Sequence, residues 1–172
     1  LKSAILNRFS AETIDYVCIL GSGSANPDNT AQEFVHLLLE YNLFILPLDY
    51  DGTWYRYHHL FQSILEKEAQ HYLSPGEIRE LQLRAADWFE GQQLIDEGIR
   101  YAISSGNVDR VADIIGRHYH AELNLDRFQV IDNWLSQLPA ELIQQRITLL
   151  LCSAYVALYR QHTAMIYPIL EQ

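Results

Sequence analysis

With 172 residues, 49% of them hydrophobic, the chain suits one or two small domains and holds enough apolar side chains to fill a core. That composition excludes a disordered tail. The net charge of −10 argues against a general affinity for nucleic acid or an anionic membrane.

Ser10 is placed to cap a helix that carries Glu12 in its first turn, and AETIDYVCIL continues that helix to Gly21. GSGSANPDN, 21–29, reads as a flexible loop. Thr30 to Glu33 form a capping box that opens a helix over AQEFVHLLLEY, closing at Asn42. LFILPL and TWYRY are rich in β-formers, and Asp51-Gly52 between them signals a hairpin. Pro47 lacks a donor and so confines its strand to an edge. A helix follows from about His58 to Tyr72. Two helices, a hairpin and a closing helix are the plan of a winged-helix unit, somewhat permuted or extended.

A second start signal lies at Ser74-Pro75-Gly76-Glu77, where Ser74 caps, Pro75 suits the first helical position and Glu77 completes the box. Only helices follow, over roughly 75–91, 93–104, 107–121, 125–137, 139–146 and 148–162, with a last partial one. Gly91, Gly106 and Pro139 punctuate them. Small residues on apolar faces, Ala85, Ala86, Ala102 and Ala112, suit stacked helical hairpins. The fold class expected is therefore mostly α: a winged-helix unit over 1–73, with one β-hairpin, then an all-α array of helical hairpins over 74–172. Cys18 and Cys152 lie far apart in apolar helical stretches and read as buried thiols of a reducing compartment. The longest apolar run, TLLLCSAYVALY at 148–159, is too short for a membrane span. No signal peptide is expected. The chain opens on Leu1 and stops inside an apolar helical pattern, so a fragment of a longer protein is expected.

His58 and His59 raise the question of a site. On a helix, neighbouring residues point about 100° apart, so the pair does not grip one ion. His118 and His120 fare no better, and with no CxxC or HxxxH no metal site is expected. No GxSxG is present. GSGSANP lacks the Gly-Lys-[Ser/Thr] ending of a phosphate loop, so no catalytic residue is assigned and tight ATP binding by this chain alone is not expected. Trp54, Tyr55, Tyr57 and Phe61 read as packing rather than a ligand cage. Trp54 and Phe61 should be largely buried, joining the hairpin to the helix after it, while Trp88 and Phe89 seat the first helix beyond Ser74. Asp49 and Asp51 read as turn formers. DNA reading, the obvious use of a winged helix, meets a contrary charge pattern. Between Phe9 and Tyr55 there is no Lys or Arg, and the helix that would enter a groove carries two glutamates.

The run NLFILPLDYDGTWYRYHHLFQSIL resembles the LF-x-x-PLD-x-x-x-x-WYRYHHLF segment of MalT-like, LuxR-type ATP-dependent regulators, within the class of signal-transduction ATPases with numerous domains. ELQLRAADWFEGQQLIDEGIRYAISSGNVDRVADII resembles the helix pair that follows the winged helix there. WLSQLPAELI resembles the segment ahead of that family's TPR-like repeats. The resemblance implies a cytoplasmic, non-enzymatic segment, made of winged helix, arm and the start of a TPR-like sensor. It implies ATP or ADP as cofactor of a longer parent but not of this segment. As partners it implies an ATPase module of the same chain and a protein or small-molecule inducer on the helical part, with no direct DNA binding by the segment. It also places on His58 the family's contact to the nucleotide β-phosphate. The alternative is that His58 only caps or packs at the strand–helix junction. The rival reading of the whole is a helical-repeat adaptor with no link to nucleotide.

Overall fold

The computed structural model describes the backbone over residues 1–19 and 30–170, and side chains over 1–19 and 31–160. The chain divides into two compact units, Leu1–Ser105 and Gly106–Gln172.

The first unit opens with a 3-10 turn, Lys2–Ile5, and then α1, Ala11–Ile14. Ser10 caps α1 as expected. Its hydroxyl accepts the Thr13 N–H at 3.2 Å, and the Thr13 side chain answers the Ser10 N–H. The helix does not run on regularly. It widens into a π-type turn over Asp15–Ile19, which buries both Val17 and Cys18. The loop expected over 21–29 and the capping side chain of Thr30 lie outside the described residues.

Helix α2 spans Thr30–Glu40 and closes at Asn42, whose φ of 52° is the left-handed turn that ends helices. Strand β1, Ile45–Pro47, pairs antiparallel with β2, Tyr55–Tyr57, with Pro47 opposite Tyr55. On its other side Tyr55 exchanges two 2.8 Å hydrogen bonds with Phe9. That leaves β1 at the edge, where a residue without an N–H is tolerated. The connection is wider than a two-residue turn. The Asp49 carboxylate accepts the Thr53 N–H at 2.9 Å and the Trp54 N–H at 3.2 Å, and Gly52 supplies a φ of 62°. Strand alternation sends Tyr55 and Tyr57 into the core around Phe9.

Trp54 and Phe61 are half-buried, not largely buried. Phe61, on α3 (His59–Tyr72), does join that helix to the hairpin, through Tyr57 at 5.9 Å and Phe44 at 5.6 Å. Trp54 precedes β2 and so escapes its alternation. It packs instead on α4 (Pro75–Gly91), against Trp88 at 5.8 Å and Phe89 at 6.2 Å. The capping box at Ser74 forms as expected, and Trp88 and Phe89 are buried.

Helix α5, Ile95–Ser104, lies close against α4 because of Gly98. A Cβ there would stand 3.2 Å from the Ala86 carbonyl oxygen and 3.3 Å from the Glu90 nitrogen, both main-chain atoms that cannot swing aside. Gly98→Ala is therefore expected to destabilise the chain by about 1–3 kcal/mol, despite alanine's better helix propensity. Urea unfolding checks this, and a variant as stable as the parent would show that the two helices part without cost.

The second unit holds α6 (Val108–Asn124), α7 (Phe128–Leu135), α8 (Ala140–Gln145) and α9 (Ile147–Leu170). Ile114, Ile115, Ile131, Leu149 and Cys152 form its core. Instead of a helix over 148–162 and a separate partial one, α9 is continuous to Leu170. Arg146 pins its start to α6 through Asp109, at 2.6 Å, and Asp113, one helical turn apart. The fold class is as the sequence implies: a hairpin-bearing winged-helix unit followed by an all-α array. Both cysteines are buried thiols. Among the described residues, no helix is long and apolar enough to cross a membrane.

Candidate functional site

Strand β2 hands over directly to α3, and His58 is the junction. Tyr57 anchors the end of the strand, with its buried hydroxyl 2.8 Å from the Ser3 hydroxyl. His58 has an extended backbone (φ −58°, ψ 135°) and occupies the N-cap of α3. Its N–H donates to the Phe44 carbonyl at 2.6 Å, and its carbonyl accepts the Gln62 N–H at 2.9 Å. Phe44 reaches that position with a φ of 52°, a strained conformation for a bulky residue. The main chain of His58 is thus fixed from both sides. Its imidazole makes no capping hydrogen bond to α3.

That imidazole instead lines a cavity of about 380 Å³, with Asn7, Leu46, Arg56, Tyr57, His59 and Gln62. The helical rotation of about 100° does not apply to the two histidines, because His58 is the extended N-cap and not a helical residue. Their rings lie 4.4 Å apart at 34°, and both face the cavity. His59 is the more exposed of the two.

Arg56 was not among the residues singled out from the sequence, yet a signal was present. In WYRYHH, Arg56 stands between two tyrosines, and on a strand a residue two positions from His58 shares its face. Tyr55 and Tyr57 are buried and Arg56 is exposed, as that alternation demands. Arg56 makes no ion pair among the described residues.

The electrostatics of this cavity favour an anion. One permanent cation and two imidazoles line it, and among the described residues no carboxylate does. The first turn of α3 carries no acidic residue, so the partial positive charge of its N-terminus is not neutralised locally. A larger cavity, about 640 Å³, lies between α1, α2 and the hairpin loop, and it is lined by Glu12, Asp15 and Asp51. Those carboxylates make that larger cavity a poor match for phosphate, whereas the lining of the His58 cavity carries cationic and imidazole groups although the chain's net charge is −10.

The outer face of α2 exposes Glu33 and Glu40 beside Leu37 and Leu39, and no Lys or Arg. It is a poor match for a DNA backbone.

Residues 1–77 match the MalT winged helix domain family. The first part of the chain, residues 1–77, is therefore similar to the MalT winged helix domain. The HTH-type transcriptional regulator MalT of Klebsiella pneumoniae (strain 342) is 27% identical to it over 156 residues, 91% of this chain. The chain spans about 16% of the length of that relative. The His58 cavity, with β2 and the start of α3, is lined only by residues within the matched span 1–77.

Proposed function

We propose that this MalT-like chain is the non-enzymatic relay segment of an ATP-dependent, LuxR-type regulator. The cavity at His58 contacts a phosphate of nucleotide held by an ATPase module of the same protein. The winged helix ends near residue 73, and from Ser74 onwards a helical arm leads into TPR-like repeats that receive a protein or small-molecule inducer. The setting is cytoplasmic. The single observation that carries this reading is the cavity at the N-terminus of α3, where Arg56 and an imidazole not used for capping converge and which no carboxylate among the described residues lines. The similarity to a transcriptional regulator supports it over a plain helical-repeat adaptor.

In this reading the phosphate takes its hydrogen bonds from groups already held in place. The imidazole N–H of His58 donates to it, the Arg56 guanidinium adds charge, and the unneutralised helix end adds its partial charge. His59 contributes less, because it is the more exposed of the pair. A hydrogen bond to a charged group is worth about 1.5–3 kcal/mol.

His58→Ala in a chain that includes the ATPase module is therefore expected to weaken ADP retention by roughly 10- to 150-fold, at about 1.4 kcal/mol per decade. The variant should also favour the active state, since the resting arrangement loses a contact the active one does not need. His59→Ala should do much less of either. ADP dissociation from both variants and the parent decides the matter. Parental affinity in His58→Ala, or greater damage from His59→Ala, would refute the phosphate role.

A further inference from the structure

Three consecutive residues tie the His58 cavity to helix α5 and to strand β2. Asn7 is part of the cavity wall, and its backbone N–H donates to the Tyr101 hydroxyl on α5 at 2.8 Å. Arg8 turns the other way. Its guanidinium lies 4.7 Å above the Trp54 ring and donates to the Glu97 carboxylate, also on α5. Phe9 pairs with Tyr55 on the strand that continues through Arg56 to His58. One wall of the cavity thus comes from the Asn7 segment and the facing wall from β2, and the Phe9–Tyr55 bridge sets their spacing. Beyond that bridge, the position of Asn7 is set from α5. Tyr101 is itself fixed: it is 3% exposed, with its ring 5.1 Å from that of Phe89 on α4.

We propose that the segment Asn7–Phe9 couples the His58 cavity to the α4–α5 hairpin, and that Arg8 and Tyr101 are the positioning residues that hold the cavity wall in register. This deepens the phosphate reading of the same cavity, although the coupling is defined by the geometry alone. A ligand that displaces Asn7 must move or break the bond to Tyr101, and so load α5. In the reverse direction, a shift of α5 pulls Asn7 and Arg8 together and changes the cavity that His58 faces. Arg8 is suited to the task because a planar guanidinium stacks on indole and pairs with a carboxylate at the same time. Its Nε is buried without a hydrogen-bond partner, so stacking and the Glu97 bond are what hold it. A lysine keeps the charge but not the stacking plane.

The test uses this chain, isotopically labelled, with backbone amide exchange and histidine ring resonances as readouts. Tyr101→Phe keeps the ring against Phe89 and removes only the acceptor. The Asn7 amide is expected to exchange about 10-fold faster, the equivalent of one ordinary hydrogen bond. The His58 ring resonances are expected to shift, although Tyr101 does not line the cavity. Arg8→Lys should shift His58 in the same way and fail to rescue it. Arg84→Lys, on α4 and bonded to Glu80 and the Val17 carbonyl, should leave His58 unchanged. Inorganic pyrophosphate then serves as the cavity probe. In the parent it should shift His58 and slow Asn7 exchange, and in Tyr101→Phe the effect on Asn7 should be lost.

Unchanged Asn7 exchange and unchanged His58 resonances in both Tyr101→Phe and Arg8→Lys would overturn the coupling. A pyrophosphate response at His58 that leaves Asn7 and Tyr101 untouched would also overturn it, while sparing the phosphate reading. If neither residue responds to pyrophosphate but the variants still shift His58, the coupling stands and the phosphate reading falls.

Discussion

Phe89→Ala is expected to lower the stability of the chain by roughly 3–5 kcal/mol, the usual cost of deleting a fully buried aromatic ring. Phe89 is 0% exposed and is the ring at which the elements of the first unit meet. It stacks on Tyr101 of α5 at 5.1 Å and meets Trp88 edge-on at 5.0 Å. Trp54, from the end of the hairpin loop, lies 6.2 Å away, and the Arg8 guanidinium is 5.9 Å from the ring. Truncation would leave a void walled by side chains anchored to three separate elements, so the site has little freedom to collapse. A natural control is Phe128→Ala in the second unit. Phe128 stacks on Tyr159 at 4.1 Å but is only half-buried, so its loss should cost clearly less. Urea unfolding of both variants provides the comparison. A Phe89→Ala loss under about 1 kcal/mol, or one smaller than that of Phe128→Ala, would show that the ring is not the centre of the first unit.

Local rules made much of this architecture readable. The N-cap at Ser10 and the capping box at Ser74 depend on residues within one turn, and both form as their sequences imply. Pro47 marks the edge strand for a reason internal to proline, and the left-handed Asn42 ends α2 for a reason internal to helix ends. What stayed hidden depends on distance along the chain. Trp54 reads as a link to the helix that follows, yet its partners are 34 and 35 residues away, on α4. Arg8 looks like an ordinary surface cation until Glu97, 89 residues later, comes beside it. Those long-range pairs draw α4 and α5 into the first compact unit, which ends at Ser105.

The candidate site divides in the same way. His58 is legible from its motif, and Arg56 from strand alternation once β2 is drawn. The proximity of the two histidine rings is not legible, because it rests on His58 being the last extended residue rather than the first helical one. Nor is Phe44, whose left-handed turn brings its carbonyl to the His58 N–H. Nothing in LFILPL marks an aromatic residue for that conformation.

Alkaline pH is expected to destabilise the chain below the range in which its arginines lose their charge. Burial pushes the Cys18 thiol up to about 11 and the Tyr101 phenol up to about 12, and it raises the Tyr57 phenol as well. All three belong to the first unit. In the unfolded chain the thiol and phenols ionise near their ordinary values, 9.0 and 10.0. Below about pH 9 these groups are neutral in both states and contribute no pH dependence. Above it the unfolded state gives up protons that the folded state still holds, so stability falls as pH rises, from about pH 9 through about pH 12. Each raised pKa of about two units is worth roughly 2–3 kcal/mol by the upper end of its window, so Cys18 and Tyr101 together remove roughly 5 kcal/mol. That is comparable with the whole stability of an ordinary domain. Cys18→Ala should flatten the lower part of the decline, and Tyr101→Phe the upper part, even though each variant starts from a lower stability at neutral pH. Urea midpoints measured across this range, with tyrosinate absorbance followed alongside, give the two slopes separately. A parent midpoint at about pH 11 equal to that at about pH 8 would mean that the buried thiol and phenol ionise in place. The core around Phe89 and Phe9 would then be far more open to water than the packing of its rings implies.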